Sequence, residues 1–117
     1  MKKSIFLIIM ALTCTIQLFA QQVESVTGKV TLLRVNPVGG AFGPPADRID
    51  AEVIIKLNTK PDNAYGFQLR KDNNELTHEA MFEMLQYAYA NNLEIKIEYT
   101  RLPNRKNFIL FRVILEK

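Results

Sequence analysis

From Thr77 to Tyr99 the hydrophobic period changes once, and the rest of the chain is organised around that change. At 100° per residue Met81, Leu85, Ala88 and Tyr89 share one side, flanked by Phe82 and Met84, while Glu79, Glu83, Gln86 and Ala90 lie opposite. This spacing predicts an amphipathic helix capped by Thr77, with Leu76 and Met81 as a hydrophobic staple and Asn91-Asn92 as its end. Leu93, Ile95, Ile97 and Tyr99 then alternate with Glu94, Lys96 and Glu98, the period-two pattern of a strand with one buried face.

Four further stretches read as strands. Val26 to Val35 places Val26, Gly28, Val30 and Leu32 on one face and Lys29, Thr31 and Leu33 on the other, with Gly28 marking a bend or a close backbone approach. Ile49, Ala51, Val53, Ile55 and Leu57 face inward in a second strand, with Asp50, Glu52 and Lys56 outward. Asn58 to Asn63, carrying Pro61-Asp62, predicts a turn before a third strand of Tyr65, Phe67 and Leu69. After a turn at Pro103-Asn104, the strand from Phe108 to Leu115 is apolar on both faces. One row is Ile109, Phe111, Val113 and Leu115, and the other is Phe108, Leu110 and Ile114. Two apolar faces predict either a subunit interface through Phe108, Leu110 and Ile114 or a second face covered by the helix or the N-terminal segment.

The first twenty residues read as a secretory signal: Lys2 and Lys3, an apolar run from Ile5 to Leu12, and Leu18-Phe19-Ala20 before Gln21. The apolar run is shorter than the ~20 residues of a membrane span. Cleavage after Ala20 is therefore expected, giving a secreted or periplasmic chain of one domain, residues 21–117, with no span remaining. Removal also changes the charge. The 15 basic and 12 acidic residues include Lys2 and Lys3, so the mature chain carries 13 against 12, and Cys14 leaves with the signal. Interleaved charges of both signs disfavour a nucleic-acid groove. With no cysteine left, stability falls to the core, to barrel closure or to oligomerisation.

No catalytic residue, metal site or cofactor is expected. His78 is the single histidine, no mature cysteine exists, and no His-rich or carboxylate-loop metal signature is present. A hydrolase could use carboxylates alone, and Asp47, Asp50 and Glu52 are close in sequence, but Asp50 and Glu52 read as the solvated face of a strand. The candidate ligand-binding residues lie in and after the Asn36 to Arg48 loop, whose glycines and prolines break every period. Phe42 could offer a flat apolar face beside Asp47 and Arg48, suited to sugars, or could tuck onto the core. Arg70, Asp72, Asn73 and Arg101 are polar candidates at strand ends.

Three strands, a helix and two strands is the order of the OB-fold, a mainly β, five-stranded Greek-key barrel. With Thr27-Gly28-Lys29-Val30 opening the first strand and Met84-Leu85 and Ala88-Tyr89-Ala90 on the helix, the exported chain resembles the cell-binding B subunits of pentameric bacterial toxins. The likeness is nearest to the subtilase cytotoxin B subunit group. It implies a pentamer with Glu79, Glu83, Gln86, Tyr87 and Ala90 towards a central pore, and a glycan or protein partner. An oligonucleotide-binding OB-fold, suggested by Phe67, Arg70 and Lys71, and an envelope assembly protein stay open as alternatives.

Overall fold

The computed structural model describes residues 22–117, so the proposed signal lies outside the described residues. Five strands and one helix follow in the order β1 (Gln22–Val35), β2 (Val53–Leu57), β3 (Lys60–Phe67), α1 (Glu75–Ala90), β4 (Glu94–Arg101) and β5 (Asn107–Ile114). The sheet closes on itself in the order β1-β2-β3-β5-β4 and back to β1. All contacts between neighbouring strands are antiparallel except β3 with β5, which pair in parallel over Ala64↔Asn107, Tyr65↔Phe108 and Gly66↔Ile109. Inside, Tyr65, Tyr99 and Phe108 form an aromatic cluster with ring centroids 5.0 to 6.2 Å apart. Met81, Leu85 and Ala88 of α1 pack onto the same core.

β1 serves two partners. Its first half, from Gln22 to Lys29, pairs with β4, and its second, from Val30 to Val35, with β2. The change of partner happens beside Gly28, where a Cβ would lie 2.6 Å from Thr59 Oγ1. That oxygen cannot retreat freely, because it donates to the Thr27 carbonyl at 2.7 Å. The close approach expected at this glycine is present. A few residues later, Val30 and Leu32 oppose Leu57 and Lys56, so Thr31 is an extra residue on β1. This bulge reverses the facing of the later β1 residues. Leu33, not Leu32, packs on the main core, and Leu32 turns to the outer side.

The outer side of β2 and β3 carries a second apolar layer of Ile49, Ala51, Ile54 and Ala64, with Leu32 and Phe42 against it. β2 is therefore buried on both faces, and strict alternation fails before it. Ile49 is held by an isolated bridge to Phe42, and Glu52, expected outside, is only 3 % exposed. Pro61 and Asp62 belong to β3 rather than to a turn. They fit because the β2–β3 register jumps from Leu57↔Lys60 to Ile55↔Tyr65, leaving Pro61 outside the ladder that would need its missing N–H. Gly66 is the tight point of this layer. A Cβ there would meet the Val53 carbonyl at 2.8 Å and Ala51 Cβ at 2.9 Å.

α1 starts earlier than its sequence pattern predicts. Asn74 precedes its first turn without a side-chain cap, and Asp72 Oδ1 accepts from Asn74 N at 2.8 Å. Thr77 is inside the helix and Leu76 is 82 % exposed, so the staple with Met81 does not form. Tyr89 and Leu93, both expected inward, are exposed. The C-terminus follows expectation: Asn92 is left-handed at φ 54°, and Asn91 Nδ2 donates to the Tyr87 carbonyl at 2.8 Å.

β5 decides which apolar row is free. Glu98 pairs with Arg112 and Tyr99 with Leu110, so Phe111 is the extra residue of a bulge and facing reverses there. Phe108 and Leu110 are 4 % and 1 % exposed, inside the core. The interface expected through them is thus corrected: Ile109 and Phe111, at 43 % and 39 %, are the exposed row, and Ile114 is half-buried.

Phe108→Glu buries an unpaired charge, a cost comparable with the whole stability of a small domain, and unfolds the protein, whereas Phe111→Glu leaves it folded; near-ultraviolet circular dichroism distinguishes them. Gly66→Ala overpacks the outer layer and lowers unfolding free energy by about 1–3 kcal/mol, read from the urea midpoint.

Candidate functional site

Where the parallel pairing of β3 and β5 stops, a cleft of about 660 Å³ opens. β3 ends at Phe67 and the chain turns away through Gln68, while β5 continues past Ile109 with β4 as its only strand partner among the described residues. The cleft has one apolar wall and two polar ones. Ile109, Phe111 and Leu102 supply the apolar side. Arg48 and Asp50 come from the end of the long loop, Gln68 from the end of β3, and Asn74, Thr77 and His78 from the start of α1. Arg112 Cζ sits 5.7 Å from the Phe111 ring centroid and Arg112 Nη1 donates to Glu98 Oε1 at 2.8 Å, which restrains the aromatic side chain.

The polar wall is braced from behind. Glu52 is buried and receives Arg70 through two bonds, Nε to Oε1 at 2.8 Å and Nη2 to Oε2 at 2.9 Å; it also accepts from Leu69 N at 3.2 Å. Arg70 Nη2 also donates to Asp50 Oδ1 at 2.6 Å. The hydrogen bonds from Arg70 to Glu52, then to Asp50, push its pKa above the ordinary guanidinium value. One cation thus fixes two carboxylates. Gln68 Nε2 donates to the Asp50 carbonyl at 3.1 Å, setting Gln68 beside Asp50 on the cleft side.

The sequence candidates divide. Arg48 reaches the cleft. Arg70 lines a separate groove of about 540 Å³ between Lys71 and the Glu79 and Glu83 face of α1, and contributes to the cleft only by holding Asp50. Phe42 is no exposed platform: it is half-buried on the outer layer, with Arg34 Cζ 5.8 Å from its ring centroid. Asp72 is engaged with the backbone before α1, and Asn73 is exposed outside the cleft. Arg101 Nη1 donates to Glu24 Oε1 at 2.8 Å and Tyr99 Oη to Glu24 Oε2 at 3.0 Å, joining β4 to β1. These two bonds, Arg101 first, hold the Glu24 carboxyl below its usual range.

Asp47 is a structural clamp. Its carboxylate accepts from Arg105 Nε at 2.9 Å, Lys106 N at 3.0 Å and Asn107 N at 3.1 Å, and its carbonyl accepts from Asn107 Nδ2 at 2.9 Å. The 3-10 turn at Pro45–Asp47 is thereby pinned to the start of β5. Burial raises the Asp47 pKa, but the Asn107 and Lys106 backbone donors together with Arg105 outweigh it and hold the carboxyl below its ordinary value. Pattern reading missed Gln68, Asn74, Thr77, Leu102, Ile109 and Phe111 as neighbours. Only the double apolar face of the last strand signalled that something there would be left uncovered.

No protein-family model, curated protein or solved structure matches this chain. The geometry of the cleft is therefore the ground for a functional reading. It offers apolar contact on one side and fixed hydrogen-bonding groups on the other, the combination small-ligand sites use for affinity and orientation respectively.

Asp47→Asn removes charge from the clamp and lowers stability at neutral pH by about 1–3 kcal/mol. Because the folded carboxyl titrates below its unfolded value of about 3.9, the wild type holds that stability above this pH and loses it as pH falls through the folded value. The variant has no such loss, so the two urea midpoints converge in acid.

Proposed function

We propose that this chain is an exported, non-enzymatic binding module of OB-fold type, and that the cleft beside β5 takes a glycan. The observation that carries the reading is the juxtaposition of Phe111, Ile109 and Leu102 with Asp50, Gln68, Asn74 and Thr77 across one open cleft. Sugar rings present C–H faces that pack on aromatic and aliphatic side chains, while their hydroxyls need directional polar partners. Both are supplied here within one site. The strand order, with the helix between the third and fourth strands, agrees with an OB-fold, and such folds place ligands on the barrel surface and its loops.

The resemblance to toxin B subunits enters on the same footing. A ring of copies would have to use a surface other than Phe108 and Leu110, since these fill the core, and Ile109 with Phe111 is the exposed apolar alternative on β5. A second copy docked there would compete with a glycan for the same residues. Light scattering on residues 21–117 measures this directly.

Screening residues 21–117 against immobilised glycans is the deciding experiment. Binding is expected, and Phe111→Ala weakens it at least tenfold while the melting temperature falls by no more than a few degrees, since the ring is partly exposed. Absence of binding across a broad panel, or binding unchanged by Phe111→Ala, removes the proposal.

A further inference from the structure

Resting on the glycan reading of the cleft, we infer that its ligand is a neutral sugar recognised through hydroxyl groups that donate to Asp50 and its neighbours, and that anionic sugars are rejected. Two balances lead there, one of charge and one of hydrogen-bond donors against acceptors.

Several charged side chains bear on the cleft wall between the loop and β3. Arg105 is neutralised by Asp47, its Nε donating to the Asp47 carboxylate at 2.9 Å. Arg70 faces two carboxylates, Asp50 at 2.6 Å and Glu52 at 2.8 Å, so that group keeps one negative charge in excess. Glu52 is enclosed behind Arg70, whereas the Asp50 side chain is 59 % exposed, so the excess is presented at Asp50. Against it stands Arg48, which has no carboxylate within ion-pair distance among the described residues and whose Nε donates to the Gly43 carbonyl at 3.2 Å. The wall is close to neutral in sum and negative where it meets Gln68.

Hydrogen-bond capacity points the same way. Arg70 occupies Asp50 Oδ1, leaving Oδ2 with only the long 3.4 Å approach of Gln68 Nε2. The amide of Gln68 is turned with its nitrogen towards Asp50, so its carbonyl oxygen is the group with no partner among the described residues. Asn74 makes no side-chain cap bond to α1, and Thr77 is exposed in the first turn. Asp50 Oδ2 and the Gln68 carbonyl oxygen are therefore acceptors open to a ligand, while Asn74 and Thr77 can each donate or accept. A sugar hydroxyl can donate to them and rotate to suit each one. A carboxylate, sulfate or phosphate oxygen has no proton to offer and meets Asp50 charge to charge. Arg70 is here a positioning residue: it holds the carboxylate without entering the cleft.

Gly66↔Ile109 is the last pair of the ladder, and beyond it Gln68 from the end of β3 and Phe111 from β5 both line the cleft. A sugar bound there would have the Phe111 ring for its C–H face and the Asp50 and Gln68 acceptors for its hydroxyls.

The test is a panel of immobilised oligosaccharides with matched neutral and anionic members, the latter bearing sialic acid, uronic acid or sulfate, probed with wild type, Asp50→Lys and Thr77→Ala. Neutral members are expected to bind, with acidic counterparts at least tenfold weaker. Thr77→Ala lowers neutral binding about threefold to tenfold, and Asp50→Lys abolishes it while admitting acidic members. Binding of acidic members alone, or wild-type affinity in Asp50→Lys, overturns this inference and leaves the glycan reading standing. Binding of no glycan overturns both, and capture of an extended apolar peptide instead would reassign the cleft to a protein partner.

Discussion

Closure of the sheet rests on three residue pairs. β3 and β5 run parallel and meet only from Ala64 to Gly66, opposite Asn107 to Ile109, yet this short contact turns an open sheet into one with an enclosed interior. So brief a pairing is stabilised by the side chains on its inner face. Tyr65 and Phe108, partners in the ladder, stack at 6.2 Å and both pack on Tyr99 at 5.0 Å, so three large rings are buried where the ladder is shortest. Such rings add specific edge and face contacts to their large apolar area. Burial also raises the pKa of the Tyr65 and Tyr99 phenols, which keeps the cluster uncharged over the physiological range.

The outer layer is a consequence of that closure. With the inner faces filled, the apolar outer face of β2 and β3 needs cover, and the Asn36 to Glu52 segment supplies it through Phe42, Ile49 and Ala51. Backbone bonds from Asn36 N to the Glu52 carbonyl at 2.7 Å and between Phe42 and Ile49 at 2.8 and 2.9 Å hold the segment as a folded flap. Asp47 then ties it to the start of β5. The cover ends there, short of Ile109 and Phe111, and the cleft is the uncovered remainder of an otherwise sealed layer.

The buried Glu52 is the costly element of this arrangement. An ionised carboxylate at that depth is tolerated because Arg70 meets it with two bonds and Leu69 N with a third. Losing Arg70 would leave that charge uncompensated, which is far more destabilising than never having buried the pair. The same guanidinium orients Asp50 at the surface, so the interaction that compensates the buried Glu52 also shapes the proposed ligand wall.

Local pattern fixes the number, type and order of the main elements, the inward positions Val53, Ile55, Leu57, Ile95, Ile97 and Tyr99, the core stripe Met81, Leu85 and Ala88, and the close approach at Gly28. These are legible because period and composition report directly on which face meets the core. Pairing in three dimensions sets the rest. Bulges at Thr31 and Phe111 depend on how far two strands slide past each other, a quantity no single strand encodes, and each one exchanged inside for outside. That exchange moved Phe108 and Leu110 from the expected interface into the core and left Ile109 and Phe111 exposed. Glu52 reads as a surface residue until Arg70, eighteen positions later, is brought to it. A β-rich chain with one covering helix is thus written in the residues themselves. The choice of which apolar row stays free belongs to the assembled sheet, because register is set between strands and not within them.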